Sequence, residues 1–458
     1  MILEKIKSEG LAHNSYLLGS VDEAAVIDPR RDCEVYIKYA QRNKLRIKYI
    51  FETHRNEDYV IGSLDLQQKT NAEIFHGSAL KFAYGKSVKE KETFSIGLME
   101  LGLLETPGHT DESISLTLKI KEKEEVIMLF TGDTLFAGDT GRIDLYGETE
   151  KPRLAAALYN SLHSKLISLN DGVIVCPAHG KGSVCGKEIS DLEYTSIGYE
   201  KQTNPQLSLQ KDKFIQMKLQ EQHYRPPYFT YMEQLNQNGA PLLYALPVLH
   251  PVSAETLHQF NTNTVQIVDI RSPTSFASGH IPSSIHLWRT GLPIFAGWFL
   301  DYDKPIILID DFNLNLDTVV RQLFRLGYTN IAGYLSGGFS TWSKHNHRFE
   351  QIAVWSPAEV QQHRKDNSVF LLDVREKEDR QKQGHIAHST NVYVGDISKH
   401  LSQIPSEKNV VIYCDSGFKT SIACSILKRH RYPTVTNMLG GFMAWEKAGL
   451  PIEHEEEL

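Results

Sequence analysis

The sequence has few cysteines, no excess of positive charge and no long hydrophobic run. Five cysteines in 458 residues are too few for a disulfide framework and predict free thiols in a reducing compartment. A formal net charge of -7 offers no electrostatic basis for binding nucleic acid or an anionic membrane. No apolar run approaches the roughly 20 residues needed to cross a bilayer, and the opening residues MILEKIKSEG lack the apolar core of a signal peptide. We therefore expect a cytoplasmic protein with neither a nucleic-acid nor a membrane partner.

The second half of the chain contains an internal repeat. IVDIRSPTSFASGHI from Ile267 matches LLDVREKEDRQKQGHI from Leu371, and LSGGFSTW from Leu335 matches LGGFMAW from Leu439. The spacing of about a hundred residues is the size of a whole domain, which indicates a tandem duplication. Each copy alternates short apolar strands with helical stretches, a pattern typical of doubly wound α/β domains. The sequence thus predicts a multidomain α/β protein with domains at 1–245, 246–350 and 351–458.

Four loops of the first domain carry metal-binding residue types shortly after an apolar strand. They are THRNED with His54 and Asp58, TPGHT with His109, FTGDT with Asp133, and PAHG with His179. Strand ends could present all of these side chains on one edge of the domain. His54, His109 and Asp133 supply two imidazoles and one carboxylate, the ligand set of non-haem Fe(II) oxygenases.

The order and wording of these loops resemble the metallo-β-lactamase fold, an αββα sandwich of two sheets flanked by helices. Its dinuclear hydrolases build two zinc sites, and the resemblance places Asn56 and Tyr59 where two of their histidines are expected. The persulfide dioxygenases of this fold hold a single iron with residues that match His54, His109 and Asp133. The resemblance therefore implies one Fe(II) per chain.

Other residues of this domain receive supporting roles. Asp58 and His179 are expected to orient metal ligands through hydrogen bonds rather than to bind metal. Arg142, in GDTGRIDLYG, resembles the arginine with which persulfide dioxygenases bind the carboxylate of a thiol carrier, a task suited to a planar guanidinium.

The last domain has one cysteine in a distinctive position. Cys414 follows the strand VVIY, and the six residues CDSGFK separate that strand from a predicted helix. Gly417 permits a tight turn, whose amides together with the helix N-terminus would favour a thiolate or persulfide on Cys414. Lys419 adds a positive charge for an anionic acceptor such as sulfite. These features resemble the rhodanese sulfurtransferases.

The middle copy has Asp310 where the last copy has Cys414, and its loop lacks glycine and a basic residue. We expect it to be catalytically silent, with Asp310 or Asp311 capping the following helix.

The whole chain resembles the persulfide dioxygenase–rhodanese fusion proteins. The resemblance implies a sulfide-detoxifying enzyme, expected to be a homo-oligomer, that uses O₂ to oxidise a low-molecular-weight thiol persulfide to sulfite. Cys414 would transfer sulfur from a second persulfide to sulfite and give thiosulfate. Two alternatives stay open: a zinc-dependent thioester hydrolase of the glyoxalase II type fused to a sulfurtransferase, and a non-catalytic first domain with only the rhodanese active.

Overall fold

The computed structural model describes residues 1–243, 245–260 and 263–454. It divides into two compact units, Met1–Leu246 with Phe324–Gly327, and Pro247–Leu323 with Tyr328–Leu458. Within the described ranges, no helix is both long and apolar enough to cross a membrane. The boundary between the two repeated copies stays a prediction.

The first unit contains two six-stranded sheets. The first sheet has the order β1-β2-β3-β4-β5-β6, with β1 Ile2–Ser8, β2 His13–Ser20, β3 Glu23–Ile27, β4 Arg46–Glu52, β5 Glu73–Gly77 and β6 Lys86–Val88. The second has the order β12-β11-β10-β9-β8-β7, with β7 Thr93–Ile96, β8 Met99–Glu105, β9 Ile114–Ile120, β10 Val126–Gly132, β11 Ile174–Pro177 and β12 Thr195–Ser196.

Apolar side chains from both sheets form one buried core. Leu18 and Phe51 of the first sheet pack in the same cluster as Leu101, Leu116 and Phe130 of the second. The alternation of buried and partly exposed residues along β8 follows the two-residue period of a strand with one face inward.

Helices cover the outer face of each sheet and complete the predicted αββα sandwich. Tyr36 and Ala40, one helical turn apart, pack on the first sheet, and Leu154, Leu158 and Phe214 pack on the second. The helices of this unit are α1 Glu34–Arg42, α2 Ser63–Thr70, α3 Lys151–Ser161, α4 Ile197–Thr203, α5 Lys211–Gln220 and α6 Phe229–Asn238, with a π-helical turn at Leu162–Leu166 and a 3₁₀ turn at Pro205–Ser208.

The second unit holds two parallel five-stranded sheets of identical topology. The first has the order β13-β17-β16-β14-β15, with β13 Pro251–Val252, β14 Gln266–Asp269, β15 Ile285–His286, β16 Ile306–Ile309 and β17 Ile331–Leu335. The second has the order β18-β22-β21-β19-β20, with β18 Ala353–Trp355, β19 Val369–Asp373, β20 Thr390–Asn391, β21 Asn409–Tyr413 and β22 Val435–Met438.

The helices of the two copies also correspond in order. Those of the first copy are α7 Ala254–His258, α8 Pro273–Ser278, α9 Leu292–Phe299, α10 Leu316–Arg325 and α11 Gly338–Lys344. Those of the second are α12 Pro357–His363, α13 Lys377–Gln383, α14 Phe418–Arg429 and α15 Gly441–Lys447, with 3₁₀ turns at Val394–Lys399 and Leu401–Gln403.

The repeated Asp-x-Arg motif forms the same buried ion pair in each copy. An Arg271 Nη2 lies 2.6 Å from Asp269 Oδ2, and the matching Arg375–Asp373 distance is 2.8 Å. Each arginine also donates to the main-chain oxygen of a glycine, Gly279 in the first copy and Gly384 in the second. The sequence repeat is therefore a structural repeat, and in both copies the pair lies at the end of the strand next to the sheet edge, β14 or β19.

Candidate metal centre and sulfur-carrying loop

Four strand ends of the first unit bring the predicted metal residues together. His54 follows β4, His109 follows β8, Asp133 follows β10 and His179 follows β11, and all four side chains are buried. In the second sheet β8, β10 and β11 point the same way, because β9 runs antiparallel between β8 and β10, and β10 pairs in parallel with β11. The loops after these three strands therefore open at one edge.

Asp133 lies among the three histidines. Its Oδ2 is 3.7 Å from His54 Nε2 and 3.6 Å from His109 Nε2. Its Oδ1 accepts a hydrogen bond from His179 Nδ1 at 2.7 Å. One carboxylate thus faces two imidazole nitrogens and is held in place by a third imidazole.

Hydrogen bonds fix which nitrogen of His54 and His109 carries the lone pair. The Thr53 hydroxyl donates to Asp28 at 2.8 Å, so it can accept from His54 Nδ1, which lies 2.9 Å away. His109 Nδ1 donates to the main-chain oxygen of Arg142 at 2.9 Å. In neutral rings both lone pairs would therefore lie on Nε2, which faces the carboxylate, and His109 Nε2 also lies 3.4 Å from Glu57 Oε1. Lone pairs that face a buried carboxylate fit a metal cation, with outer hydrogen bonds of the kind that orient histidine ligands.

The electrostatics of the cluster agree with this fit. Burial would raise the pKa of Asp133, but His179, His54 and then His109 outweigh burial and lower that pKa. Burial would lower the pKa of His109, but the carboxylates of Glu57 and Asp133 raise it to about 9. In the metal-free chain these groups attract protons where a metal-loaded chain would hold a cation.

Two residues that sequence reasoning did not predict as ligands belong to the cluster. Potential ligand atoms of Glu57, His54 and His109 all lie within 4.8 Å of one another, as do those of Asp58, His179 and Cys185. Glu57 was missed because the resemblance gives its position no ligand role. Cys185 follows His179 in an irregular loop, where no strand end marks it.

Asn56 and Tyr59, which stand where histidines are expected, make other contacts. Asn56 Nδ2 donates to the main-chain oxygen of His54 at 3.2 Å. Tyr59 is fully buried, and its ring centroid lies 4.1 Å from that of His13.

Arg142 is engaged inside the chain. Its Nε and Nη2 each lie 2.7 Å from an oxygen of Asp144, and its Nη1 donates to the main-chain oxygen of Val184 at 2.9 Å. The side chain is 1% exposed and stacks over Phe229. The carboxylate that this guanidinium binds here is therefore that of Asp144, and a role towards a thiol carrier would require this pair to open.

Cys414 lies at the C-terminal end of β21, in the second copy of the repeat. Gly417 has a φ of 88°, a left-handed conformation that favours glycine, and its N–H points to Cys414 Sγ at 3.1 Å. Helix α14 begins at Phe418, so only residues 414–417 separate strand from helix, not the predicted six. The left-handed turn at Gly417 thus starts the helix earlier than predicted and brings its N-terminus closer to the sulfur.

The positive charge of Lys419 is paired. Its Nζ lies 3.0 Å from Asp415 Oδ2. Burial lowers the pKa of Lys419, but Asp415, Cys414 and Glu376 outweigh burial and raise it. The lysine is charged as predicted, but a carboxylate competes with any anion that approaches it.

The matching loop of the first copy differs in both length and chemistry. Asp310 pairs with Arg289 at 3.0 Å, and helix α10 begins only at Leu316. The prediction that Asp310 or Asp311 caps this helix is wrong, because residues 312–315 intervene. Within the second unit, a cavity of about 590 Å³ is lined by this loop and by Ser416, Gly417 and Phe418 of the Cys414 loop.

Family models match both halves of the chain. The metallo-beta-lactamase superfamily matches residues 9–179, and the rhodanese-like domain matches twice, at residues 253–345 and 356–448. The crystal structure of a metallo-beta-lactamase from Staphylococcus aureus is 32% identical in sequence, with a TM-score of 0.65. The similarity covers 73% of this chain and 98% of that one.

The curated relatives of the first domain include proteins with two different activities. Hydroxyacylglutathione hydrolase GloC of Haemophilus influenzae is 29% identical over 208 residues, which cover 40% of this chain and 87% of the relative. The mitochondrial persulfide dioxygenase ETHE1 of Bos taurus is 26% identical over 211 residues, 44% of this chain and 74% of the relative. Neither activity is favoured by identity alone.

A relative of the rhodanese region is more similar over a shorter length. A sulfurtransferase of Allochromatium vinosum is 38% identical over 84 residues, which cover 18% of this chain and 78% of the relative. Together with the two sandwiched sheets and the two parallel ones, these matches place the chain in the metallo-β-lactamase superfamily, with two rhodanese-like domains fused behind its first domain.

Proposed function

We propose that the first domain is an Fe(II)-dependent persulfide dioxygenase and that Cys414 makes thiosulfate from its product. The proposal depends on which metal-binding residues of the fold are present in this chain and which are replaced. His54, His109 and Asp133 converge, while Asn56 and Tyr59 stand where a dinuclear hydrolase would have histidines. Two imidazoles and one carboxylate suit a mononuclear iron that leaves positions open for substrate and O₂.

The first reaction consumes one persulfide anion, one O₂ and one water, and gives one thiol, one sulfite and one proton (RSS⁻ + O₂ + H₂O → RSH + SO₃²⁻ + H⁺). Iron would supply the activation of O₂. His54 and His109 would hold the iron through Nε2, because their Nδ1 atoms are engaged by Thr53 and by the main chain of Arg142. His179 would keep the Asp133 carboxylate oriented, and burial of the whole cluster limits access of bulk water.

The second reaction moves one sulfur atom in two displacements. The Cys414 thiolate attacks the outer sulfur of a persulfide, and the S–S bond breaks to release the thiol (Cys–S⁻ + RSSH → Cys–S–S⁻ + RSH). Sulfite then attacks that outer sulfur, and thiosulfate leaves while the Cys414 thiolate is restored. The N–H of Gly417 and the start of helix α14 would stabilise the anionic sulfur in both steps.

The sulfur donor would bind in the cavity that Ser416, Gly417 and Phe418 of the Cys414 loop line. Its lining includes Trp288, Arg289 and Phe312 of the first copy as well as Phe418 of the second. The first copy, which has no thiol at Asp310, would then contribute a wall for the substrate although it carries no sulfur itself.

A zinc-dependent thioester hydrolase is the second candidate for the first domain, and similarity to GloC favours it. The two candidates differ in metal and in the use of O₂. The deciding experiment is metal analysis of the anaerobically purified full chain, combined with O₂ consumption on a panel of thiol persulfides and hydrolysis of thioesters of the same thiols. One iron per chain with persulfide-dependent O₂ uptake supports the proposal, whereas zinc with thioester hydrolysis and no O₂ uptake overturns it.

A further inference from the structure

A buried arginine lies among the loops that carry the metal-binding residues. Arg55 follows His54 directly in the chain and is only 9% exposed. Its main-chain N–H donates to Glu112 Oε1 at 2.9 Å, in the loop after β8 that also carries His109. Its guanidinium carbon lies 5.7 Å from the ring centroid of Tyr146, in the loop after β10. The loops after β4, β8 and β10 therefore meet at this side chain.

The guanidinium of Arg55 is incompletely satisfied. Within the described residues its Nε has no hydrogen-bond partner. Its Nη2 lies 3.6 Å from Glu233 Oε1 in α6, which is an ion-pair contact but too long for a hydrogen bond. A buried charged donor without an acceptor destabilises the fold, so an anion that accepts from this guanidinium would be bound favourably.

Two neighbouring arginines are already engaged by groups of the chain itself. Arg225 Nη2 donates to both oxygens of Glu233, at 3.1 and 3.3 Å, and its Nη1 donates to a main-chain oxygen. Arg142 is held by Asp144. Glu233 therefore receives hydrogen bonds from Arg225, whereas Arg55 only approaches it.

Electrostatic effects connect this arginine with the proposed iron site. Burial raises the pKa of Glu233, Arg55 and Arg225 lower that pKa, and Glu57 raises it. Glu57 Oε1 lies 3.4 Å from the Nε2 of His109, a proposed iron ligand. Since Glu57 acts on both His109 and Glu233, the contact between Arg55 and Glu233 lies beside the metal cluster, within the span of a small thiol carrier.

We propose that Arg55 binds the carboxylate of the thiol carrier whose persulfide reacts in the first domain. The planar guanidinium suits a carboxylate, which can accept from two of its nitrogens at once. The role that the sequence suggested for Arg142 is thereby assigned to Arg55. The assignment rests on the proposed function for its thiol substrate, but it also applies to a thioester of the same thiol, because Arg55 contacts only the carrier.

Two thiols that differ in one group provide the test: N-acetylcysteine, which has a carboxylate, and its amide, which has none. Calorimetry measures binding of each free thiol to the anaerobically purified full chain, and O₂ uptake gives kcat/KM for each persulfide. The parent protein should favour the carboxylated compound in both assays. Arg55→Gln should lower its binding and its kcat/KM about ten- to a hundredfold, the usual loss for a hydrogen bond between charged groups. The values for the amide and the iron content should stay unchanged.

Arg153→Gln is the matched control, because it removes the same charge outside the cluster. Arg153 has a side chain that is 51% exposed and pairs with Asp111 and Glu150. Its variant should keep the parent preference for the carboxylated thiol. If Arg55→Gln does not fold, Arg55→Lys replaces it and should lose part of that preference, because lysine keeps the charge without the planar fork.

A parent protein that binds both thiols equally, or binds neither, overturns the assignment. An Arg55 variant that keeps the full preference, or that loses both thiols to the same extent, overturns it as well. Loss of the preference in Arg142→Gln together with its survival in Arg55→Gln would return the role to Arg142. A chain that prefers N-acetylcysteine through Arg55 but takes up no O₂ supports the assignment and overturns only the dioxygenase proposal.

Discussion

The Lys419 ammonium lies 3.0 Å from the Asp415 carboxylate, within the loop and first helical turn that follow Cys414. The loop therefore offers sulfite a cation that is already paired. Both side chains are partly exposed, so the pair competes with solvent and with any incoming anion.

Asp415→Asn should increase the use of sulfite as a sulfur acceptor. The substitution removes the carboxylate that competes for Lys419, and a partly exposed pair of this kind supports a gain of about two- to fivefold in kcat/KM for sulfite. Steady-state assays with sulfite and with a neutral thiol acceptor measure the effect. Lys419→Ala is the opposite variant and should weaken sulfite use, while neither change should alter the neutral acceptor. An equal effect on both acceptors would show that the pair only shapes the loop.

His54→Ala should abolish iron binding and persulfide-dependent O₂ uptake. The variant removes one of the two imidazole Nε2 atoms that face Asp133 and that would hold the iron. Metal analysis measures the loss of iron, and an oxygen electrode measures the loss of O₂ uptake.

The matched variant is Asn56→His, which restores a residue expected in a dinuclear hydrolase. It should change iron content much less than His54→Ala does, because the side-chain amide of Asn56 donates to the main chain and the proposed iron ligands are His54, His109 and Asp133. Equal losses of iron in the two variants would contradict the assignment.

Cys414→Ser should separate the two reactions. Serine keeps the shape of the loop but is a poor nucleophile that cannot carry a persulfide, so thiosulfate formation should fall by several orders of magnitude. O₂ uptake should continue, and sulfite should accumulate in place of thiosulfate. Chromatography of the products decides the question. Thiosulfate formed at the parent rate would remove Cys414 from the mechanism, whereas Cys424→Ser, in helix α14, should leave the products unchanged.

Asp310→Ala should leave thiosulfate formation nearly intact. Asp310 pairs with the partly exposed Arg289, and loss of such a pair costs about 0–1 kcal/mol of unfolding free energy. Asp269→Ala is the contrasting variant, because it leaves Arg271 buried without its carboxylate, at a cost of about 3–5 kcal/mol. Denaturant unfolding and thiosulfate assays measure the two effects. Loss of sulfur transfer in a well-folded Asp310→Ala protein would contradict a silent first copy.

Much of the architecture could be predicted because it depends on local patterns. The paired Asp-x-Arg motifs marked the duplication, and each has a buried ion pair at the same strand end. The proximity of His54, His109 and Asp133 could be predicted for a similar reason, since each stands shortly after an apolar strand, whereas their role as ligands stays a prediction.

Other features depended on contacts that no local pattern reveals. Arg142 was expected to bind the carboxylate of a thiol carrier. In the structure its guanidinium binds the carboxylate of Asp144, two residues further along the chain. Cys185 is distant from Asp58 in sequence, and only the fold brings their side chains together. The Cys414 loop is shorter than predicted, because the left-handed turn at Gly417 starts the helix at Phe418.

The loops after β16 and β21 differ in length, and this difference determines what would be needed to introduce sulfur transfer into the first copy. In the first copy residues 310–315 connect strand and helix, whereas residues 414–417 do so in the second. Exchange of Asp310 for cysteine alone would place a thiol in the longer loop, several residues before the start of the helix. That loop has no glycine whose N–H could donate to the sulfur. A graft of the whole shorter segment would be the smallest change that recreates the setting of the sulfur. The duplicated frame, held by its own ion pair, provides a scaffold on which such a graft can be made without disturbing the original carrier.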